Sequence, residues 1–169
     1  MRVISLNANG IRSAARKGFF DWLPGTGADI VCIQETKAQE HQLSAPEYCP
    51  QGYFCQYHDA EKKGYSGVAI LSREKPDHVE IGTGIAYMDS EGRNLRADFS
   101  GVSVMSLYIP SGTNIKRLDH KLKYMDDFQV YIDRLKGAYP NLVICGDYNI
   151  CHRAIDIHDP VRNKNVSGF

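Results

Sequence analysis

Residues 28–35 read ADIVCIQE, and this stretch decides the fold. From Ile30 to Ile33 every side chain is apolar and three of the four are β-branched, with no polar alternation. A run so short and so uniformly apolar is a strand covered on both faces, as in a layered α/β domain. It stops at a carboxylate, Glu35. Upstream, Ile11, Ala15, Phe19 and Trp22 recur at helical spacing and predict one helix ending near Pro24-Gly25. Before that helix, Val3, Ile4 and Leu6 predict a strand that ends at the Asn9-Gly10 turn signal. Downstream, short turn-bounded strands are expected at YFCQY from Tyr53, GVAIL from Gly67, HVEI from His78 and LRADF from Leu95. A seventh runs from Val102 to Ile109, and a buried eighth from Leu142 to Cys145 is closed by Gly146-Asp147. Between them Leu118, Leu122, Met125, Phe128, Ile132 and Leu135 step by three or four, which predicts a long amphipathic helix from about Ile115 to Ala138. No repeat or linker interrupts this order, so a single α/β domain spanning residues 1–169 is expected.

Composition narrows the partners. With 43% hydrophobic and 24% charged residues, the 169-residue chain has enough apolar material for a core. Its 20 basic and 20 acidic residues cancel, so a nucleic-acid partner would have to meet a local basic patch. Arg12, Arg16, Lys17, Lys62 and Lys63, in or near strand-end loops, are the candidates, although Lys62-Lys63 also reads as a solvated loop tip. No apolar stretch approaches the ~20 residues of a membrane span and no signal-peptide pattern opens the chain, so a soluble, cytoplasmic protein is expected. Five cysteines without a CxxC pair point to reduced thiols and away from zinc or a disulfide framework.

Four polar clusters share one place, just after a predicted apolar strand: Asn7/Asn9, Glu35, Tyr108 and Asp147/Asn149. Strand ends in layered α/β folds are where ligand and catalytic groups collect. Each cluster alone also reads as a turn, an Asx-turn or a solvated strand end. Converged, they would supply two carboxylates, carboxamides and a phenol, with no nucleophilic serine or cysteine. Such hard oxygen donors select Mg²⁺, or Mn²⁺ in its place, and suit phosphodiester hydrolysis.

The segments LNANGIR from Leu6, ADIVCIQETKAQ from Ala28, GYSGVAILSR from Gly64, EGR from Glu91, LYIPSG from Leu107 and GDYN from Gly146 occur in this order along nearly the whole chain. In that order the sequence resembles the exonuclease III family of apurinic/apyrimidinic (AP) endonucleases, within the endonuclease/exonuclease/phosphatase superfamily. The resemblance implies a four-layered αββα sandwich of the DNase I-like kind. It implies Mg²⁺-dependent cleavage of double-stranded DNA 5′ to abasic sites, with 3′ to 5′ exonuclease activity at 3′ ends. Glu35 and Asn7 would form the metal site, Tyr108 would hydrogen-bond the scissile phosphate, Asp147 would position or deprotonate the attacking water, and Asn149 would hold a phosphate oxygen. Arg12, Tyr65, Arg93, Arg117 and Asn163 would grip the DNA.

The likeness carries departures. Family members continue past the position of Phe169 into a late aspartate and a Ser-Asp-His motif, and neither Asp77-His78 nor Asp119-His120 sits in a segment that could replace them. The resemblance therefore implies that this chain supplies the N-terminal sheet, its helices and part of the remainder, with the second sheet contributed by a C-terminal segment or a second polypeptide. Alone, such a chain is expected to be inactive. Asp159 and Val166 stand where relatives often carry asparagine, and Asn9 where some carry aspartate, which would weaken lesion specificity and metal affinity. The competing reading is a non-catalytic nucleic-acid-binding or regulatory relative. Retention of both Glu35 and Asp147-Tyr148-Asn149 favours an enzyme.

Overall fold

The computed structural model describes residues 1–112, 115–164 and 166–168, apart from the side chains of residues 115 and 116; Phe169, the expected end point, lies outside the described residues. The chain forms two compact units, one of Met1–Tyr108 with Tyr139–Gly146 and one of Ile109–Ala138 with Asp147–Phe169. Among the described residues, no helix is long and apolar enough to cross a membrane.

The first unit holds two four-stranded sheets. One has the order β1-β2-β4-β3, from β1 (Val3–Asn7), β2 (Ile30–Gln34), β3 (Phe54–His58) and β4 (Val68–Ser72). Strand β1 runs parallel to β2, and the other pairs are antiparallel. The other sheet has the order β5-β6-β7-β8, from β5 (His78–Ile81), β6 (Asn94–Phe99), β7 (Val102–Tyr108) and β8 (Leu142–Asp147). Its β5-β6-β7 meander is antiparallel. All eight expected strands are present, but the expectation that a second sheet must come from elsewhere is overturned. The short strands between His78 and Ile109 pair with one another and with β8, so the second sheet is built from this chain's own residues.

Alternation along the strands explains why β2 is buried throughout. Ile30 and Cys32, with Val68 and Ile70 of β4, face Leu95, Ala97 and Val104 of the other sheet in one apolar layer. The intervening Val31 and Ile33, with Ala69 and Leu71, face outward against Ile11, Phe19 and Leu23 of the helical segment. One face of β2 thus meets a sheet and the other meets helices, which is the reason its sequence lacks polar alternation.

That helical segment is not the single helix expected. It splits into α1 (Ile11–Arg16) and α2 (Phe19–Trp22), because Gly18 between them adopts φ 85, in the left-handed region. The break re-aims the second piece. Phe19 stays buried, while Trp22, expected on the same buried face, is 54% exposed. A short α3 (Ala86–Asp89), unforeseen from the sequence, is fixed by the Asp89 carboxylate, which accepts from the Thr83 and Gly84 amides at 2.7 and 2.8 Å.

The second unit holds the long helix α4 (Ile115–Ala138), as expected. Its buried stripe is Lys121, Tyr124, Phe128, Tyr131 and Ile132, whereas Leu122, expected in the stripe, is 52% exposed. The stripe is centred one residue earlier than the aliphatic pattern suggests, because Tyr124, Phe128 and Tyr131 carry it, with ring centroids 6.1 and 6.0 Å apart along the row. After Asp147 the tail contains one 3₁₀ turn (Ala154–Asp156), and its end returns to its start where the Cys151 amide donates to the Gly168 carbonyl at 2.8 Å.

Candidate active site

Three loops of the first unit meet at one end of the β1-β2-β4-β3 sheet. Asn7 is the last residue of β1 and lies in register with Gln34, so Glu35 begins the next loop alongside it. Asn9, Glu35, Lys37 and Ser66 all adopt positive φ, at 44, 55, 48 and 48°. Such conformations cost free energy in non-glycine residues and persist where surrounding contacts over-determine them. Here the contacts are backbone hydrogen bonds between loops. Gly10 and Ile11 amides donate to the Glu35 and Thr36 carbonyls at 2.7 and 2.9 Å, and the Thr36 and Lys37 amides donate to Gly67 and Ser66 at 3.1 and 2.8 Å. Gly67 is required twice over: its φ is 86, and a Cβ there would run into the Thr36 hydroxyl.

Within this lacing the polar side chains converge on Glu35. Asn7 Nδ2 donates to Glu35 Oε1 at 2.9 Å, and the Asn7 carbonyl oxygen is aligned by the Asn9 amide at 3.0 Å. Lys37 Nζ lies 2.5 Å from Glu35 Oε2 and donates to Asn9 Oδ1 at 2.5 Å. Burial alone would push the Glu35 carboxyl up. Hydrogen bonds from Asn7, Lys37 and Tyr108 and the charge of Lys37 outweigh it and hold the group below its usual range. Glu35 is therefore a fixed, ionised carboxylate.

Tyr108, at the end of β7, is set from behind by Arg93. The Arg93 guanidinium is 1% exposed, stacks 4.7 Å from the Tyr108 ring centroid and 5.5 Å from that of Tyr65, and donates to the Tyr108 carbonyl at 3.0 Å and the Tyr65 hydroxyl at 2.7 Å. Glu91 neutralises it at 2.6 Å. The family resemblance implies Arg93 as a DNA-gripping side chain. The structure places it beneath two tyrosines, with its planar fork spent on protein partners, because a guanidinium can stack and donate at once. Tyr65 is half-buried, and Lys62 Nζ lies 5.1 Å from its ring centroid.

The second unit carries the other set. The Asp147 side chain accepts from the Asn149 amide at 2.9 Å, an Asx-turn that accommodates Asn149 at φ 51. Asn149 Nδ2 donates to the Ile109 carbonyl at 2.8 Å, and the Ile109 amide donates to the Asp147 carbonyl at 2.9 Å. The turn reading of Asp147 and Asn149 thus holds, and the turn is what fixes their side chains. Asn163 closes a local turn, with Nδ2 donating to the His158 carbonyl at 2.7 Å. Arg117 is half-buried in the first turn of α4, and Arg12 is exposed on α1.

Of the expected site residues, Asn7, Glu35, Tyr65, Arg93 and Tyr108 come together within the first unit, and Asp147 with Asn149 within the second. Among the described residues, no three His, Cys, Asp or Glu side chains group as a protein cage for a metal. Glu35 is the carboxylate that fits a hard cation keeping most of its waters, since Mg²⁺ is commonly held through only one or two carboxylates, and the Asn7 amide donates to it and orients it. Two participants escaped sequence reading. Lys37 lies in the ETK segment, yet nothing in its spacing marks it as the partner of Glu35. Lys121 had a readable signal: it lies three and seven residues before Tyr124 and Phe128, on the buried stripe of α4.

Comparison with known proteins places this geometry. The model of the Endonuclease/Exonuclease/phosphatase family matches residues 4–168. The chain is 36% identical over 172 residues to a DNA-(apurinic or apyrimidinic site) endonuclease of Dictyostelium discoideum, covering 100% of this chain and 47% of that protein. It is 38% identical over 171 residues to an exodeoxyribonuclease of Bacillus subtilis, covering 100% of this chain and 66% of that protein. The solved structure of an AP endonuclease from Archaeoglobus fulgidus superposes with a TM-score of 0.88 at 31% identity, over 100% of this chain and 65% of that one. The chain thus spans about half to two thirds of the length of these relatives, and it carries the DNase I-like α/β fold class expected from its motifs.

Proposed function

The chain belongs to the endonuclease/exonuclease/phosphatase family, and on that premise we propose that it is the part of a DNA-repair phosphodiesterase that incises double-stranded DNA 5′ to an abasic site, with 3′ to 5′ exonuclease action at 3′ ends. The observation that carries this reading is the ionised Glu35, held by Asn7, Lys37 and Tyr108 where three loops meet. A carboxylate kept ionised in this way suits a cation. Glu35 would hold Mg²⁺, or Mn²⁺ as substitute, with Asn7 orienting its carboxylate, and a cation there would offset charge developing on a phosphoryl oxygen.

The remaining roles follow from side-chain chemistry. Asp147 orients the attacking water and takes a proton from it; the water oxygen joins phosphorus as the bond to the 3′ oxygen breaks, and that 3′ oxygen leaves as a 3′-hydroxyl on taking a proton from solvent. Asn149 and the Tyr108 hydroxyl bind non-bridging phosphate oxygens. Arg12, Tyr65, Lys62, Arg117 and Asn163 meet the DNA backbone, and Arg93 acts through the two tyrosines it supports. Five free thiols support a reducing, cytoplasmic setting.

The test is incision of a duplex carrying one abasic-site analogue, with Mg²⁺ and with EDTA, by the full-length protein of which this chain is proposed to be part, as wild type and as Glu35→Gln. Metal-dependent nicking 5′ to the lesion is expected, with turnover reduced at least about a hundredfold in the variant while duplex binding is retained. Unchanged turnover in the variant, or no nicking by the wild type, overturns the reading.

A further inference from the structure

Lys121 is 1% exposed in the first half of α4, on a stripe otherwise filled by Tyr124, Phe128, Tyr131 and Ile132. An ammonium in such a place is costly unless its donors are met, and an apolar side chain would fit the stripe without that cost. Its donors are met in a particular way. Nζ donates to the Asn149 carbonyl at 2.6 Å and to the Ser167 carbonyl at 2.6 Å. One carbonyl belongs to the loop carrying Asp147 and Asn149, the other to the far end of the tail. Burial pushes the ammonium toward neutrality, and the charge of Asp147 opposes it.

Two further contacts fall at the same junction. The Cys151 amide donates to the Gly168 carbonyl at 2.8 Å. A side chain on Gly112 would collide with Ser167 and press on Leu118, so the turn before α4 is shaped to admit the end of the tail. From these contacts we infer that Lys121 is a positioning residue, tying the Asp147–Asn149 loop to the tail segment at Ser167 so that the two move as one body. The inference deepens the nuclease reading and rests on it for its effect on turnover: DNA held by the tail orders the loop that orients water and phosphate. Lys121 itself touches neither.

Lys121→Met keeps the aliphatic stem and removes the ammonium, and Lys121→Arg restores a cation with several donors. Amide hydrogen exchange on the full chain reads the tie without any need for activity. In Lys121→Met the Asn149 and Cys151 amides and the Val166 amide are expected to exchange at least ~10-fold faster, with the β2 and β4 amides unchanged. In incision assays kcat is expected to fall roughly 10- to 100-fold, with KM within about threefold, and Lys121→Arg to recover most of the loss. Faster exchange in only one of the two segments, a chain-wide rise, or an arginine variant no better than methionine overturns the inference. If the wild type does not incise, the nuclease reading falls, and the exchange experiment alone decides whether Lys121 ties loop to tail.

Discussion

Between Ala8 and Gly67, three loops distant in sequence exchange backbone hydrogen bonds, and four of their non-glycine residues sit at positive φ. From Arg153 to Val166 the bonds instead close within a few residues, as from Asp156 to Arg153, Asn163 to Asp159 and Val166 to Asn163. Ile155 and Val161 of this tail are 88% and 86% exposed, while Ile11, Val31 and Ile33 behind the first region are fully buried. Both regions present polar groups suited to a phosphate backbone. The first is held by tertiary cross-links over a packed core, and the second hangs on a few long-range bonds at its two ends. Local unfolding is cheapest where few apolar contacts and many local bonds coincide, so the Glu35 region should behave as part of the core and the tail as an element ordered by what binds it.

The sharpest way to break this contrast is Arg93→Met. Losing the guanidinium breaks its ion pair with Glu91 and leaves Tyr65 and Tyr108 without their common support, and removing the buried partner should cost about 3 kcal/mol in denaturant unfolding. A loss below about 1 kcal/mol would show that the tyrosines hold themselves. Gly67→Ala comes next, at about 1–3 kcal/mol, because a Cβ meets Thr36 and the backbone is left-handed; a neutral result would mean that the lacing of the loops is loose.

A smaller effect concerns pH. Glu35 is held below its unfolded value, so its contribution to stability is fully present above roughly pH 4.3 and fades as pH falls through the folded value. The stability difference between wild type and Glu35→Gln should therefore shrink as pH is lowered below roughly 4.3, as read from denaturant midpoints, and a difference that stays constant into strong acid would remove the electrostatic account of the site. At the small end, Ile155→Ser in the tail should change stability by no more than about 0.5 kcal/mol. A larger loss would place the tail in the folded core and erase the contrast.

The strands were legible because each carries a short apolar run ended by a turn, and Glu35, Tyr108 and Asp147 were legible because they stand where those runs stop. Pairing was not legible. Nothing in HVEI or LRADF says which neighbour it joins, so the second sheet emerged only in three dimensions. Gly18 interrupts a helix whose apolar spacing reads straight through it, since periodicity records faces and not breaks. The burial of Arg93 was hidden because arginine is normally a surface residue and its partners are distant in sequence, whereas Lys121 stood at a readable spacing from Tyr124 and Phe128 and was masked only by its residue type. Lys37 escaped because an ion pair two residues apart needs the left-handed turn at Glu35, which only the cross-linked loops impose.

A fully buried polar bridge crosses the apolar layer between the sheets, besides the contact of His58 Nδ1 with the Asn94 carbonyl at 2.8 Å. Gln34 Nε2 donates to Ser106 Oγ at 3.1 Å, and the Ser106 hydroxyl donates to the Ile33 carbonyl at 3.1 Å, all out of contact with water. Apolar faces alone permit two sheets to slide over one another at little cost, whereas this bridge is satisfied at one offset. It acts as an index pin. Gln34 is the residue before Glu35, and Ser106 stands two residues before Tyr108, so slippage of either strand by one residue, about 3.3 Å, would separate the carboxylate from the phenol and strand a buried amide hydrogen and a buried hydroxyl hydrogen. The spacing between the two chemical groups is set one layer below them, where no substrate reaches.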